Sequence, residues 1–214
     1  MKIIRLNQKG DNIDAVRAAV DVFKKGGSVV FPTDTVYGLG CNACDPYVAR
    51  QLYKIKGRSS TKPLPVFVRN MKWLREVAFI PPKLESVLDK LWPGPITVVL
   101  IKKAIIPNDV TQGKPTVAVR IPDYPLIDSI LGKFGYPLAV TSANISGEAG
   151  SDDPAKILES FKDQLWKPDL ILDAGVLPSS TPSTIIDFSK IKPRILRIGP
   201  AKPADLEKIL NTKF

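Results

Sequence analysis

Apolar residues in this chain recur with two interleaved periods, and that alternation limits the fold more than any other feature. Over 12–25 the positions Val16, Val20 and Phe23 follow helical spacing, and Gly26-Gly27 supplies a stop. A short β-rich run at 28–31 ends at Pro32, and helical spacing resumes over 47–56 through Val48, Leu52 and Ile55. Further strand-like runs lie at 64–68, 96–101, 116–121, 138–141, 170–172, 183–188 and 195–198. Helical patterns separate several of them: Leu84, Val87, Leu88 and Leu91 mark one, Ile127, Ile130, Leu131 and Phe134 another, and 154–165 and 204–210 two more. Some strands follow each other with no room for a crossover helix. The sequence therefore predicts an α/β fold with a twisted mixed sheet flanked by helices.

A length of 214 residues with 44% hydrophobic residues suits one domain, expected over 1–214, and the 20 prolines are scattered through turns rather than gathered in a linker. The opening Met1-Lys2-Ile3-Ile4-Arg5 lacks the apolar run of a signal peptide, and no later stretch is apolar long enough to span a bilayer. The expectation is a cytoplasmic protein without a membrane partner.

Histidine is absent, which removes Ser-His-Asp and Cys-His catalysis, His-ligated zinc and imidazole general bases together. Chemistry must then rest on charge and positioning. Lys and Arg number 31 against 21 Asp and Glu, and the net charge of +10 favours anionic partners such as nucleotides, polyphosphates or RNA, although a solvated basic surface has the same composition. Cys41 and Cys44 form a lone C-x-x-C with no second pair, so they read as two small, reduced, partly buried residues following a strand. Neither a G-x-x-x-x-G-K-[ST] phosphate loop nor a G-x-G-x-x-G fingerprint occurs.

Four segments carry the candidate chemistry. In Phe31-Pro32-Thr33-Asp34-Thr35-Val36-Tyr37-Gly38-Leu39-Gly40 a strand breaks into a hydroxyl-rich loop and then glycines, as functional strand-end loops and ordinary turns both do. Lys56-Gly57-Arg58-Ser59-Ser60-Thr61-Lys62 places three cations at the end of a helix, where they could complement the dipole or fold around one polyanion. Strand alternation puts Thr116, Ala118 and Arg120 on one face, and an arginine among small residues needs a partner, either a ligand carboxylate or a structural acid. Finally 138–147 opens from an apolar strand into Ser142-Ala143-Asn144, repeating the logic of the first segment and suggesting one shared pocket.

Together these segments resemble the YrdC-like threonylcarbamoyl-AMP synthase family, whose pattern pairs P-T-[DE]-T-x-Y-G-L-G with K-x-R and, later, S-x-N. Pro32 to Gly40, Lys56-Gly57-Arg58 and Ser142-Ala143-Asn144 supply all three in order. The likeness extends to Trp92-Pro93-Gly94-Pro95-Ile96-Thr97, Thr116-Val117-Ala118-Val119-Arg120, Ser183-Thr184-Ile185-Ile186 and Leu196-Arg197-Ile198-Gly199-Pro200. It implies a YrdC-like fold with a large basic cavity, in a single-domain form. It also implies an L-threonylcarbamoyladenylate synthase that joins L-threonine, bicarbonate and ATP with Mg²⁺ and releases pyrophosphate, for N6-threonylcarbamoyladenosine at tRNA position 37.

By the same resemblance Thr35, Arg120, Val140 and Ser183 hold threonine, and Lys56, Arg58, Lys62, Thr116, Ser142, Asn144 and Arg197 hold the nucleotide, with Lys56 and Arg58 acting on the reacting phosphates. Lys62 stands where many relatives have asparagine, and Phe67 where many have histidine. A downstream tRNA threonylcarbamoyl transferase and weak tRNA or double-stranded RNA binding are the further partners implied. Two rivals remain at the level of sequence: an RNA-binding module using the same basic face, and a paralogue acting on another substrate.

Overall fold

The computed structural model describes residues 1–57 and 62–210. In chain order its strands are β1 (Lys2–Arg5), β2 (Val29–Phe31), β3 (Gly38–Asn42), β4 (Val66–Phe67), β5 (Ala78–Phe79), β6 (Ile96–Lys102), β7 (Thr116–Arg120), β8 (Leu138–Ser142), β9 (Leu170–Asp173), β10 (Thr184–Asp187) and β11 (Arg194–Arg197). Its helices are α1 (Ile13–Lys24), α2 (Pro46–Lys56), α3 (Met71–Val77), α4 (Pro82–Leu91), α5 (Asn108–Thr111), α6 (Pro125–Phe134), α7 (Pro154–Lys162) and α8 (Pro203–Leu210).

The strands join one mixed sheet in the order β1-β9-β2-β3-β8-β4-β7-β6-β10-β11, with β5 paired to β6 off that path. Neighbours β2–β3, β3–β8, β8–β4, β7–β6 and β10–β11 run antiparallel, while β1–β9, β9–β2, β4–β7 and β6–β10 run parallel. The expectation of a mixed sheet holds, because short connections such as the β2–β3 turn can only reverse direction.

Alternation along the strands divides the core into two layers. On one face Val30, Leu39, Val98, Val117, Val119 and Ile186 pack with Val48 and Leu52 of α2 and Leu84 and Leu88 of α4. On the other face α1 and α6 lay their apolar stripes, Val16, Val20 and Phe23 with Ile127, Ile130 and Phe134, against Val29, Phe31, Leu138 and Leu170. That second face is covered over the β9-β2-β3-β8 half. Further along, Phe67, Arg120, Ala118, Thr97, Val99 and Ile185 line a cavity instead.

Several elements depart from the sequence expectation. Gly38 and Gly40 belong to β3 rather than to a loop, and Cys41 sits inside that strand, wholly buried, rather than after it. The glycines are there because the Phe31 ring lies across them: a Cβ on Gly40 would come within 2.8 and 2.9 Å of ring carbons, and one on Gly38 within 3.0 Å of the ring and of Val140. Gly40→Ala is accordingly expected to destabilise the protein by about 1–2 kcal/mol through overpacking, read as a lower urea midpoint at unchanged slope. An unchanged midpoint would mean that the ring moves aside at no cost.

The helix expected over 154–165 stops at Lys162, and Leu165 is 88% exposed. The strand expected over 64–68 narrows to Val66–Phe67. The sequence pattern also missed β1, an edge strand with only Ile4 part-buried, and α3, whose two turns bury only Leu74 and Val77. Both are too short for a period to register. Among the described residues no helix is long and apolar enough to cross a membrane.

Candidate functional site

The cavity on the open half of the sheet has a volume of ≈ 570 Å³. Thr35, Lys56, Lys62, Thr116, Arg120, Val140, Ser142, Ser183, Asn144 and Arg197, all singled out in the sequence, line it together. Arg58 lies outside the described residues. The two hydroxyl-rich strand ends do share one pocket, because β3 and β8 are adjacent and the loops flanking them open toward the same face.

One wall is built where α2 ends. Asp45 caps the helix, accepting from the backbone N–H groups of Tyr47 and Val48, and Gly57 ends it with φ 57°. The carbonyl of Lys56 in that last turn accepts from the Ser146 N–H at 2.8 Å, tying the helix end to the loop after β8. The Lys56 side chain is only 4% exposed. Its Nζ donates to the Ser142 carbonyl at 2.6 Å, to Ser142 Oγ at 3.1 Å and to Asn144 Oδ1 at 2.6 Å. An ammonium has three donors, so these contacts match its full complement. Asn144 is held in turn, its Nδ2 donating to the Ile145 and Glu148 carbonyls. Lys56 thus fixes Ser142 and Asn144 and supplies positive charge at the wall, with its hydrogen bonds directed into the protein.

The floor is set by β7. Val117 and Val119 enter the core, which turns Thr116, Ala118 and Arg120 toward the cavity as the alternation predicts. Arg120 is 3% exposed and held on several sides: Nε donates to the Gly94 carbonyl at 2.9 Å, Nη1 to Thr35 Oγ1 at 3.2 Å, and the guanidinium lies over the Phe67 ring. Nη2 is 2.6 Å from Asp34 Oδ1, an ion pair whose angles fall outside hydrogen-bond geometry. The structural acid that Arg120 needs is therefore Asp34, in the segment before β3. Burial pushes the Arg120 pKa down and Asp34 pulls it back up, and a guanidinium remains charged throughout. Thr33 takes the local turn role, donating to the Val36 carbonyl and accepting from the Thr35 N–H.

The opposite wall comes from β6, β10 and β11. Arg197 Nε donates to the Ser183 carbonyl at 2.9 Å and Nη2 to Ser183 Oγ at 3.3 Å, while Ser183 Oγ lies 2.8 Å from Thr97 Oγ1. Desolvation first, and then the charge of Arg120, lower the Arg197 pKa. Two guanidiniums held within mutual influence around one space favour an anion between them.

Among the residues at the site that sequence reasoning gave no role are Asp34, Thr97, Lys114 and Asp187. Alternation from Val98 and Ile186, both core residues, would have turned Thr97 and Asp187 toward the cavity. Lys114 had no signal beyond its place just before β7. Cys41 and Cys44 are free thiols whose pKa values burial raises, which suits inert residues.

The family model Sua5_yciO_yrdC, described as "Telomere recombination", matches residues 21–199. The chain belongs to the Sua5/YciO/YrdC family. Among its relatives, a threonylcarbamoyl-AMP synthase of Pyrococcus abyssi is 34% identical over 197 residues, which cover 92% of this chain and 57% of that protein. A putative threonylcarbamoyl-AMP synthase of Methanocaldococcus jannaschii is 35% identical over 203 residues, 93% of this chain and 92% of that protein. The crystal structure of P. abyssi Sua5 complexed with L-threonine superposes with a TM-score of 0.91 at 32% identity, covering 98% of this chain and 61% of that one. The chain thus spans under two thirds of the P. abyssi relative and nearly all of the M. jannaschii one.

Proposed function

We propose that this chain is an L-threonylcarbamoyladenylate synthase, forming threonylcarbamoyl-AMP and pyrophosphate from L-threonine, bicarbonate and ATP. The observation that carries this reading is the pairing in one cavity of a buried guanidinium on the floor, Arg120, with a lysine-serine-asparagine wall some strands away. An amino-acid carboxylate suits the first and a polyphosphate the second. The Pyrococcus relative solved in complex with L-threonine supports threonine as the amino acid.

In this reading the threonine ammonium gives a proton to bicarbonate, which loses water to give CO2. The freed amine adds to that CO2 and releases its second proton to water, and a carbamate oxygen attacks the α-phosphorus of ATP. The bond to the bridging oxygen of the β-phosphate breaks, and pyrophosphate leaves. Arg120, Thr35, Val140 and Ser183 orient threonine. Lys56, Arg58 and Lys62 set positive charge against the phosphates, and Ser142, Asn144, Thr116 and Arg197 position the nucleotide. Positioning and electrostatic stabilisation supply the rate, so a chain without histidine is not at a disadvantage.

Mg²⁺ bound together with ATP would supply neutralisation of phosphate charge at the wall formed by Lys56, Ser142 and Asn144. Among the described residues no group of three His, Cys, Asp or Glu side chains is placed to hold a metal. The product is a mixed anhydride prone to hydrolysis, which suits prompt hand-over to a downstream tRNA threonylcarbamoyl transferase, the partner this reading gives it in the cytoplasm.

Protein supplied with ATP, Mg²⁺, bicarbonate and L-threonine is expected to release pyrophosphate and form an adenylate of the corresponding mass. Omitting threonine or bicarbonate should return pyrophosphate release to background. Equal release without the amino acid would assign a different activity.

A further inference from the structure

Asp187 is the one acidic side chain among the described residues that line the cavity, where Lys56, Lys62, Lys114, Arg120 and Arg197 are the cations. A carboxylate in an anion-binding cavity repels phosphate and accepts hydrogen bonds only, so it must face hydroxyl or amino donors or a cation. Its orientation is fixed: the Ser189 N–H and Oγ both donate to Oδ1, at 2.8 and 2.6 Å. Oδ2 accepts no hydrogen bond among the described residues.

Sheet register locates this group relative to the proposed substrates. Val119 pairs with Val98 and Val98 with Ile186, so the row through Arg120 continues across Thr97 to Ile185, and Asp187 lies two residues beyond on β10. Two strand spacings and two residues put its Cα about 12 Å from that of Arg120, whose guanidinium is held toward Asp34, Thr35 and Phe67 of β4, on the side of β7 away from β10. In the other direction, Ser142 at the lysine wall ends β8, which stands four strands away from β10, or roughly 19 Å. With the leaving phosphates at that wall and the reacting α-phosphorus over β7, the nucleoside extends the remaining distance toward β6 and β10. There Val99, Ile185 and Leu196 give an apolar surround. Leu196 faces the cavity beside Arg197 because the β10–β11 register shifts at this point, pairing Ile185 with Arg197 and Ile186 with Ile195.

We infer that Asp187 is the residue that recognises the ribose of the nucleotide, Oδ2 accepting from its vicinal hydroxyls. The inference rests on ATP being the nucleotide substrate. It makes Asp187 a specificity residue that excludes deoxynucleotides without taking part in bond making.

Calorimetric titration with ATP, 2′-deoxy-ATP and 3′-deoxy-ATP, on the unmodified protein and on Asp187→Asn and Asp187→Ala, tests this. The unmodified protein is expected to prefer ATP over at least one deoxy analogue by about tenfold or more, the usual scale of a hydrogen bond to a charged acceptor. In both variants that preference should fall to within about twofold, through weaker ATP binding rather than stronger analogue binding, with the melting midpoint unchanged in Asp187→Asn, whose amide oxygen still accepts from Ser189. A preference that persists in the variants, or ATP and both analogues bound equally by the unmodified protein, overturns the inference. So does a variant that keeps its ribose preference while its Mg²⁺ requirement rises, since that assigns Oδ2 to the cation. Absence of any ATP binding would instead remove the functional reading beneath it.

Discussion

Replacing Asp34 with alanine is expected to lower the unfolding free energy by about 3 kcal/mol and the melting midpoint by roughly 6–12 °C. Arg120 and Asp34 are 3% and 14% exposed at their side chains, and among the described residues theirs is the one salt bridge at the cavity floor. Removing the acid leaves a guanidinium out of water with its charge uncompensated. The bonds from Nε to Gly94 and from Nη1 to Thr35 persist, which keeps the loss at the low end of the range for a broken buried pair. Threonine affinity should fall with it, because Nη2 loses the partner that sets its direction. Arg120→Lys is not expected to restore either property, since one ammonium cannot reach Gly94, Thr35 and Asp34 at once. Thermal melts and threonine titration check both effects. A midpoint within 1–2 °C of the parent for Asp34→Ala would show that the pair contributes little, as exposed pairs do.

Lys56→Met is expected to reduce kcat/KM for ATP by roughly two to three orders of magnitude, the scale seen when one preorganised charged or hydrogen-bonding group is lost from a water-excluded site. Methionine keeps the apolar stem and removes the ammonium. Ser142 Oγ, the Ser142 carbonyl and Asn144 Oδ1 then lose a donor together, so stability should also fall, by about 2–3 kcal/mol. The two losses are separable. Asn144→Ala removes one acceptor but leaves the charge, and should weaken ATP binding far less than Lys56→Met. Equal effects from the two substitutions would mean that Lys56 acts only as a structural tie.

Much of the cavity floor was legible in the sequence because strand alternation has a period of two and the core residues identify themselves. Val117 and Val119 are unbroken apolar positions, and once they are placed inside, Thr116, Ala118 and Arg120 have only the other face. The end of α2 was legible for a similar reason, as Gly57 can take positive φ and stops the helix directly after Lys56. β3 was not legible, because glycine is ordinarily a loop signal and the Phe31 ring that explains Gly38 and Gly40 sits on a different strand. Leu165 likewise continues a helical period along the chain yet stands in solvent.

The sequence by itself determined the class of fold, the face that a strand such as β7 turns to the core, and the polar residues left over on its other face. These depend on neighbours within a few positions, where the geometry of helix and strand is known in advance. Only the tertiary structure decided which leftovers meet: that Asp34 compensates Arg120 from within the protein, that Lys56 directs its donors to Ser142 and Asn144, and that Asp187 is the one acid among the cations of the described cavity lining. The physical reason is that charge acts through space. Asp34 lies 86 positions from Arg120 and Asn144 88 from Lys56, and strand order, which no local period encodes, brings each pair to 2.6 Å.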